Sequence, residues 1–261
     1  MQDKTRPMTG KTIALIPARM ESSRLPNKPL KKICGLPMIV HVAKRAALSP
    51  LVDRVVVCTD SIEILMVCDS HGIEVCMTRS SHQNGTERIA EAAEVMGLAA
   101  DDIVIDVQGD EPFVQPAYIE QVAEFTRANP FGCVVPHQFM EEMGNLNRVK
   151  VVSYESRILY FSRADVPCYF GAIQQPMKKH LSIIGFRLDA LRTFAANAPT
   201  PLEEIERIEL MRLIELGVPI GTFLQEGSSL SVDTPEDYEL ACRMMERDPL
   251  FKQKIEREVA R

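Results

Sequence analysis

Strand-length apolar runs alternate with helix-spaced apolar positions through the first half of the chain, and few architectures accept that order. Thr12-Ile-Ala-Leu-Ile16 is almost continuously apolar, as a strand buried on both faces must be. Ile39, Val42, Ala43 and Ala46 then follow at i, i+3, i+4 and i+7, which predicts a helix. Residues 54–58 read as strand, 61–71 as helix, 73–77 as strand, 86–96 as helix and 102–107 as another buried strand. Repeated βαβ units of this kind predict an α/β domain built on a mostly parallel sheet. Farther on, strand-like segments at 149–153, 158–161 and 181–186 come in quick succession, so antiparallel strands are expected to extend the sheet. Pro201 opens a helical run over 202–216 that Gly217 closes, and Thr234 can cap a helix with Pro235 in its first turn. One domain over 12–248 is expected, with a polar leader at 1–11 and a charged tail at 249–261.

Charge and composition remove several function classes. Thirty Lys and Arg stand against 36 Asp and Glu, a net charge of −6, so no cationic excess exists to displace counterions from a nucleic acid. No apolar stretch reaches the roughly 20 residues of a membrane span, and residues 1–11 lack the apolar core of a signal peptide. Seven scattered cysteines without a CxxC pair read as reduced thiols of a cytoplasmic protein. The chain has no GxGxxG after its first strand, no P-loop, no GxSxG elbow and no HExxH. His41 falls within a predicted helix, where a structural role is the commoner one.

What the chain does carry is cations and carboxylates at strand ends. The first strand runs into Pro17-Ala-Arg-Met-Glu-Ser-Ser-Arg-Leu-Pro-Asn-Lys-Pro-Leu30, which places Arg19, Arg24 and Lys28 on one loop. Open α/β sheets bind ligands at that edge, and a proline-stiffened cationic loop suits a polyphosphate, with Arg forking onto oxygens and Lys acting as a point charge. A solvated basic loop has the same composition. The 102–107 strand ends in Gln108-Gly-Asp-Glu-Pro112, where Asp110 could hold Mg²⁺, a hard cation usually shared with substrate phosphates. Asp233, in Ser231-Val-Asp-Thr-Pro-Glu-Asp237, is a candidate second carboxylate, or else only part of a helix start. Phosphate-binding cations and metal-ready carboxylates, with no activated nucleophile, fit metal-assisted phosphoryl or nucleotidyl transfer.

The ordered motifs then carry a resemblance. Ile16-Pro-Ala-Arg19 with Ser23-Arg-Leu-Pro26 and Lys28-Pro-Leu30, Thr59-Asp60, Asn84-Gly-Thr-Glu-Arg88, Val107-Gln-Gly-Asp-Glu-Pro112, Tyr160-Phe-Ser-Arg163 and Val232-Asp-Thr-Pro-Glu-Asp237 resemble the 3-deoxy-manno-octulosonate (Kdo) cytidylyltransferase family over about residues 12–247. The resemblance implies a Rossmann-like nucleotide-diphospho-sugar transferase fold, a homodimer, and CTP plus an acidic 3-deoxy sugar giving the CMP-sugar and pyrophosphate in lipopolysaccharide biosynthesis. It implies Arg19 and Lys28 on the triphosphate, and Asp110 and Asp233 on Mg²⁺ as catalytic residues beside them. Pro17, Ala18, Asp60, Asn84, Gly85, Thr86 and Arg88 match the nucleotide side, and Gln108, Arg163, His180 and Glu209 the sugar side. Departures cluster on the sugar side: Ser182 replaces a usual Gly, Ile184 a usual Tyr and Leu210 a common Gln. The expected substrate is therefore Kdo or a close relative. The alternatives are another acidic sugar, or a catalytically silent binding module of the same fold.

Overall fold

In chain order the strands are β1 (Thr12–Ala18), a small hairpin of β2 (Lys32–Ile33) and β3 (Leu36–Pro37), β4 (Arg54–Thr59), β5 (Glu74–Met77), β6 (Ile103–Val107), β7 (Cys133–Val134), β8 (His137–Met140), β9 (Lys150–Tyr154), β10 (Arg157–Ser162), β11 (Met177–His180), β12 (Ile183–Arg187) and β13 (Ile220–Gly221). The helices are α1 (Met38–Ala46), α2 (Ile62–Ser70), α3 (Gly85–Val95), α4 (Pro116–Ala128), α5 (Leu188–Ala196), α6 (Pro201–Glu206), α7 (Met211–Glu215) and α8 (Pro235–Met245). This computed structural model describes residues 9–255 apart from 23, 169, 171–174 and 228–229. Ser23, residues 1–8 of the expected leader and 256–261 of the expected tail lie outside the described residues.

An eleven-stranded sheet has the order β5-β4-β1-β6-β12-β7-β13-β10-β9-β11-β8. β5, β4, β1 and β6 are mutually parallel, the block that the βαβ pattern predicts. β12 joins β6 antiparallel, and antiparallel β10, β9, β11 and β8 extend the far side. Along β1 the side chains alternate between two cores. Ala14 and Ile16 pack with α1, α4 and α8, whereas Ile13 and Leu15 pack with α3, α5 and α7. Helices therefore cover both faces, which is why the β1 run is apolar at nearly every position. Each fully buried Leu or Ile contributes roughly 1.5–3 kcal/mol of apolar transfer.

Three local features differ from the sequence expectation. The helix expected over 202–216 is two short helices, because Arg207 turns left-handed at φ 54° between α6 and α7. The carbonyls of Glu206 and Arg207, freed from helical bonding, accept from Arg163 Nε at 2.7 Å and a terminal guanidinium nitrogen at 2.9 Å. The strand expected from 181 begins at Ile183, since the Leu181 N–H is given to Pro136. The charged tail begins with a π-type turn, Phe251–Ile255, whose Phe251 and Ile255 are buried and whose Phe251 ring lies 5.3 Å from that of His41.

Candidate active site

The carboxyl ends of β1, β4 and β6 gather at one edge of the sheet, in register from Ala18 to Thr59. A cleft of about 350 Å³ opens there. Beyond Ala18 the chain leaves as the cationic loop, and Pro17, Ala18 and the exposed Arg19 line the cleft. Pro26 and Asn27 turn the loop back, with Asn27 left-handed at φ 55°, into a 3-10 turn over Lys28–Leu30. That turn aims Lys28 inward.

Asp110 follows the β6 end through Gly109. A side chain there would place Cβ 2.9 Å from the Pro17 carbonyl, so only glycine lets β6 and β1 exit side by side. Asp233 arrives from 123 residues away by a single clamp, the Val232 N–H donating to the Asp110 carbonyl at 2.9 Å. The next residues start α8 with the expected capping box, Thr234 and Asp237 satisfying each other's backbone. Lys28 Nζ then lies 2.7 Å from Asp110 Oδ2 and 3.1 Å from Asp233 Oδ1, and an Arg24 guanidinium nitrogen lies 3.2 Å from Asp233 Oδ1. Burial alone would lower the Lys28 pKa, but the two carboxylates outweigh it and hold it above the ordinary lysine value.

The opposite wall is the start of α3. Asn84 is its N-cap, its side-chain oxygen accepting from the Glu87 N–H at 2.8 Å, and Asn84 and Gly85 both face the cleft. A helix N-terminus so placed is an anion site. Arg88, one turn on, lines the cleft, donates to Thr78 Oγ1 at 2.7 Å and lies 3.3 Å from Asp60 Oδ1. Asp60 is thus brought to the site through Arg88. Thr86 is buried behind this wall, against Glu209.

The sugar-side candidates are less gathered. Gln108 lines the cleft and gives Nε2 to Asp106 Oδ2 at 2.8 Å. Glu209 stands in the α6–α7 turn, and burial raises its carboxyl pKa. Arg163 does not line the cleft; its guanidinium is spent on the carbonyls of Leu146, Glu206 and Arg207. His180, with its ring 5.7 Å from that of Phe161, is driven down to about pKa 4 by burial and then Lys179. Ile184 and Leu210 are 3% and 1% exposed and belong to the α3-side apolar core. The site also holds a residue that the sequence reading left out, His82, two positions before the nucleotide-side motif, and Arg24 of the cationic loop lines the cleft as well.

A cytidylyltransferase family profile matches residues 13–220. The 3-deoxy-manno-octulosonate cytidylyltransferase of Yersinia pseudotuberculosis serotype O:1b (strain IP 31758) is 41% identical over 245 residues, covering 89% of this chain and 98% of the relative. The chain belongs to the 3-deoxy-manno-octulosonate cytidylyltransferase family. It is a nucleotidyltransferase by that membership, and the enzyme of the same name from Yersinia enterocolitica serotype O:8 / biotype 1B matches equally, at 41%. A solved structure of CMP:2-keto-3-deoxy-manno-octonic acid synthetase complexed with CTP superposes with a TM-score of 0.85 at 33% identity, covering 91% of this chain and 99% of that one. A cytidylyltransferase from Leptospira borgpetersenii serovar Hardjo-bovis (strain JB197) shares the fold, with a TM-score of 0.62 at 18% identity.

Proposed function

We propose that the chain transfers the cytidylyl group of CTP to the anomeric hydroxyl of Kdo, or of a closely related 3-deoxy-ulosonic acid, with release of pyrophosphate. The observation that carries the reading is the cleft itself. Arg19, Arg24, Lys28 and the α3 N-terminus line one wall system around Asp110 and Asp233. Positive charge on Arg19 and Lys28 offsets the charge that grows on the phosphates as the α-phosphorus bond to pyrophosphate breaks. Gly85 and Asn84 present the α3 N-terminus to an anion. Holding both substrates in one cleft supplies the orientation that an in-line attack requires. No residue of the cleft has to form a covalent intermediate.

Asp110 and Asp233 fit a divalent cation of the Mg²⁺ kind. Their carboxylates already converge on one positive group, the Lys28 ammonium, and both offer hard oxygen donors. Among the described residues no group of three or more His, Cys, Asp or Glu side chains forms a complete cage, which suits an ion that takes its remaining oxygens from phosphates and water. When bound, such an ion supplies charge neutralisation and a bridge between substrate oxygens.

Free cysteines at all described positions are in keeping with a reducing, cytoplasmic setting. No described helix is long and apolar enough to cross a membrane. The test of the function is product identification: purified protein with each of CTP, ATP, GTP and UTP, Mg²⁺ and a panel of 3-deoxy-ulosonic acids. CMP-linked product from CTP and Kdo supports the reading. A product from another nucleotide alone, or only CTP hydrolysis, overturns it.

A further inference from the structure

A buried carboxyl, Asp106, lies behind Gln108. Asp106 is 0% exposed on β6, with buried Leu15 of β1 and Ile184 of β12 as its neighbours across the sheet. Its Oδ2 accepts from Gln108 Nε2 at 2.8 Å, and its Oδ1 has no hydrogen-bond partner among the described residues. Glu209 Oε2 has none either. Burial, followed by the nearby Glu209 charge, raises the Asp106 pKa well above the carboxylate range. Burial and the Glu209 charge both weigh against the ionised form of this carboxyl. It remains a good acceptor through Oδ2. Once Gln108 commits Nε2 to that oxygen, its amide carbonyl is the group left to accept, and Gln108 lines the cleft.

We propose that Asp106 is a positioning residue for sugar selection: by holding Gln108 Nε2 it fixes Gln108 Oε1 as an acceptor in the cleft, which favours an acidic sugar presenting a hydroxyl donor there. The inference rests on cytidylyl transfer to a 3-deoxy-ulosonic acid as proposed above. Asp106 touches no substrate and acts through Gln108. The consequence is a preferred polarity: a free glutamine can turn either its carbonyl or its amine toward a ligand, and one whose Nε2 is given to Asp106 offers the carbonyl.

The experiment is a double-mutant cycle read by pyrophosphate release with CTP, Kdo and its mono-deoxy analogues. Asp106→Leu should raise KM for Kdo roughly tenfold, the value of one hydrogen bond in a water-poor site. KM for CTP should stay within about twofold, since the nucleotide side is untouched. Asp106→Asn keeps an oxygen acceptor for Gln108 Nε2 and should stay within about threefold of the original protein. In a Gln108→Ala background, Asp106→Leu should add nothing to KM for Kdo. The original protein should discriminate roughly tenfold against one mono-deoxy analogue, and Asp106→Leu should lose that discrimination. Thermal melts accompany each variant, and Asp106→Ala replaces the Leu variant if the latter does not melt cooperatively. Effects that fall equally on CTP and Kdo, that add to Gln108→Ala, or that make Asp106→Asn as harmful as Asp106→Leu overturn the inference while leaving cytidylyl transfer intact. Absence of any turnover by the original protein overturns both.

Discussion

Lys28→Ala should move two observables in opposite directions. In the structure Lys28 Nζ is held by Asp110 at 2.7 Å and Asp233 at 3.1 Å, and Arg24 is the other cation on the pair, 3.2 Å from Asp233. Each charge-assisted hydrogen bond contributes about 1.5–3 kcal/mol. Removing the ammonium therefore frees two carboxylates from a competing cation. Divalent metal binding without nucleotide should tighten by roughly tenfold, which corresponds to about 1.4 kcal/mol. Turnover should fall by about 10²–10³, the usual cost of losing one preorganised group that stabilises developing charge. The assays are Mn²⁺ binding by electron paramagnetic resonance without CTP, and steady-state pyrophosphate release with CTP and Kdo both saturating. Turnover within threefold of the original protein, or metal binding that weakens, would refute this reading of Lys28.

Two further perturbations test the framework around the site. Arg212 is 1% exposed, pairs with Glu203 at 2.6 Å and Glu87 at 3.2 Å, and lies 3.9 Å over the Phe194 ring; Arg212→Ala should destabilise by roughly 3–5 kcal/mol through the buried carboxylate it strands, measured as a lower urea midpoint. His41 donates Nε2–H to the Ile33 carbonyl at 2.7 Å, and burial holds its pKa down to about 4 against an ordinary 6.5. The unfolded chain thus takes up this proton first, so the His41 contribution is intact above pH 6.5 and is lost as pH falls from there toward 4. At pH 5 the loss is about 2 kcal/mol, and urea titrations at pH 7.5 and 5 should show His41→Gln with a correspondingly smaller difference between the two.

The parallel half of the fold was legible because its strands are buried on both faces. Ile13, Leu15 and Ile16 leave no polar interruption for a helix pattern to exploit. β8 and β11 were not, since four-residue strands holding Gln138, Lys178 and Lys179 show no apolar period. The cationic loop and Asp110 stood out from their positions after strands and Asp233 from the helix start beside it, yet only the Val232–Asp110 clamp explains how Asp233 reaches them. The sugar side was less legible. Arg163 serves backbone carbonyls where a left-handed Arg207 breaks the helix, and no local signal in 202–216 announces that break. Ile184 and Leu210 lie in the apolar core, so the polar atom to weigh on that face is Asp106. A carboxylate inside an otherwise apolar strand was the available clue.

The most direct test of metal-dependent cytidylyl transfer is the Mg²⁺ dependence of pyrophosphate release from CTP and Kdo in the original protein, Asp110→Asn and Asp233→Asn. Each substitution keeps the side-chain shape and removes one of the two charges that now converge on Lys28. The predicted result is no release without divalent metal, saturable activation of the original protein, and a loss of at least about 10²-fold in each variant that excess Mg²⁺ does not restore. Near-normal release by both variants at limiting Mg²⁺, or full activity of the original protein in chelator, would contradict it.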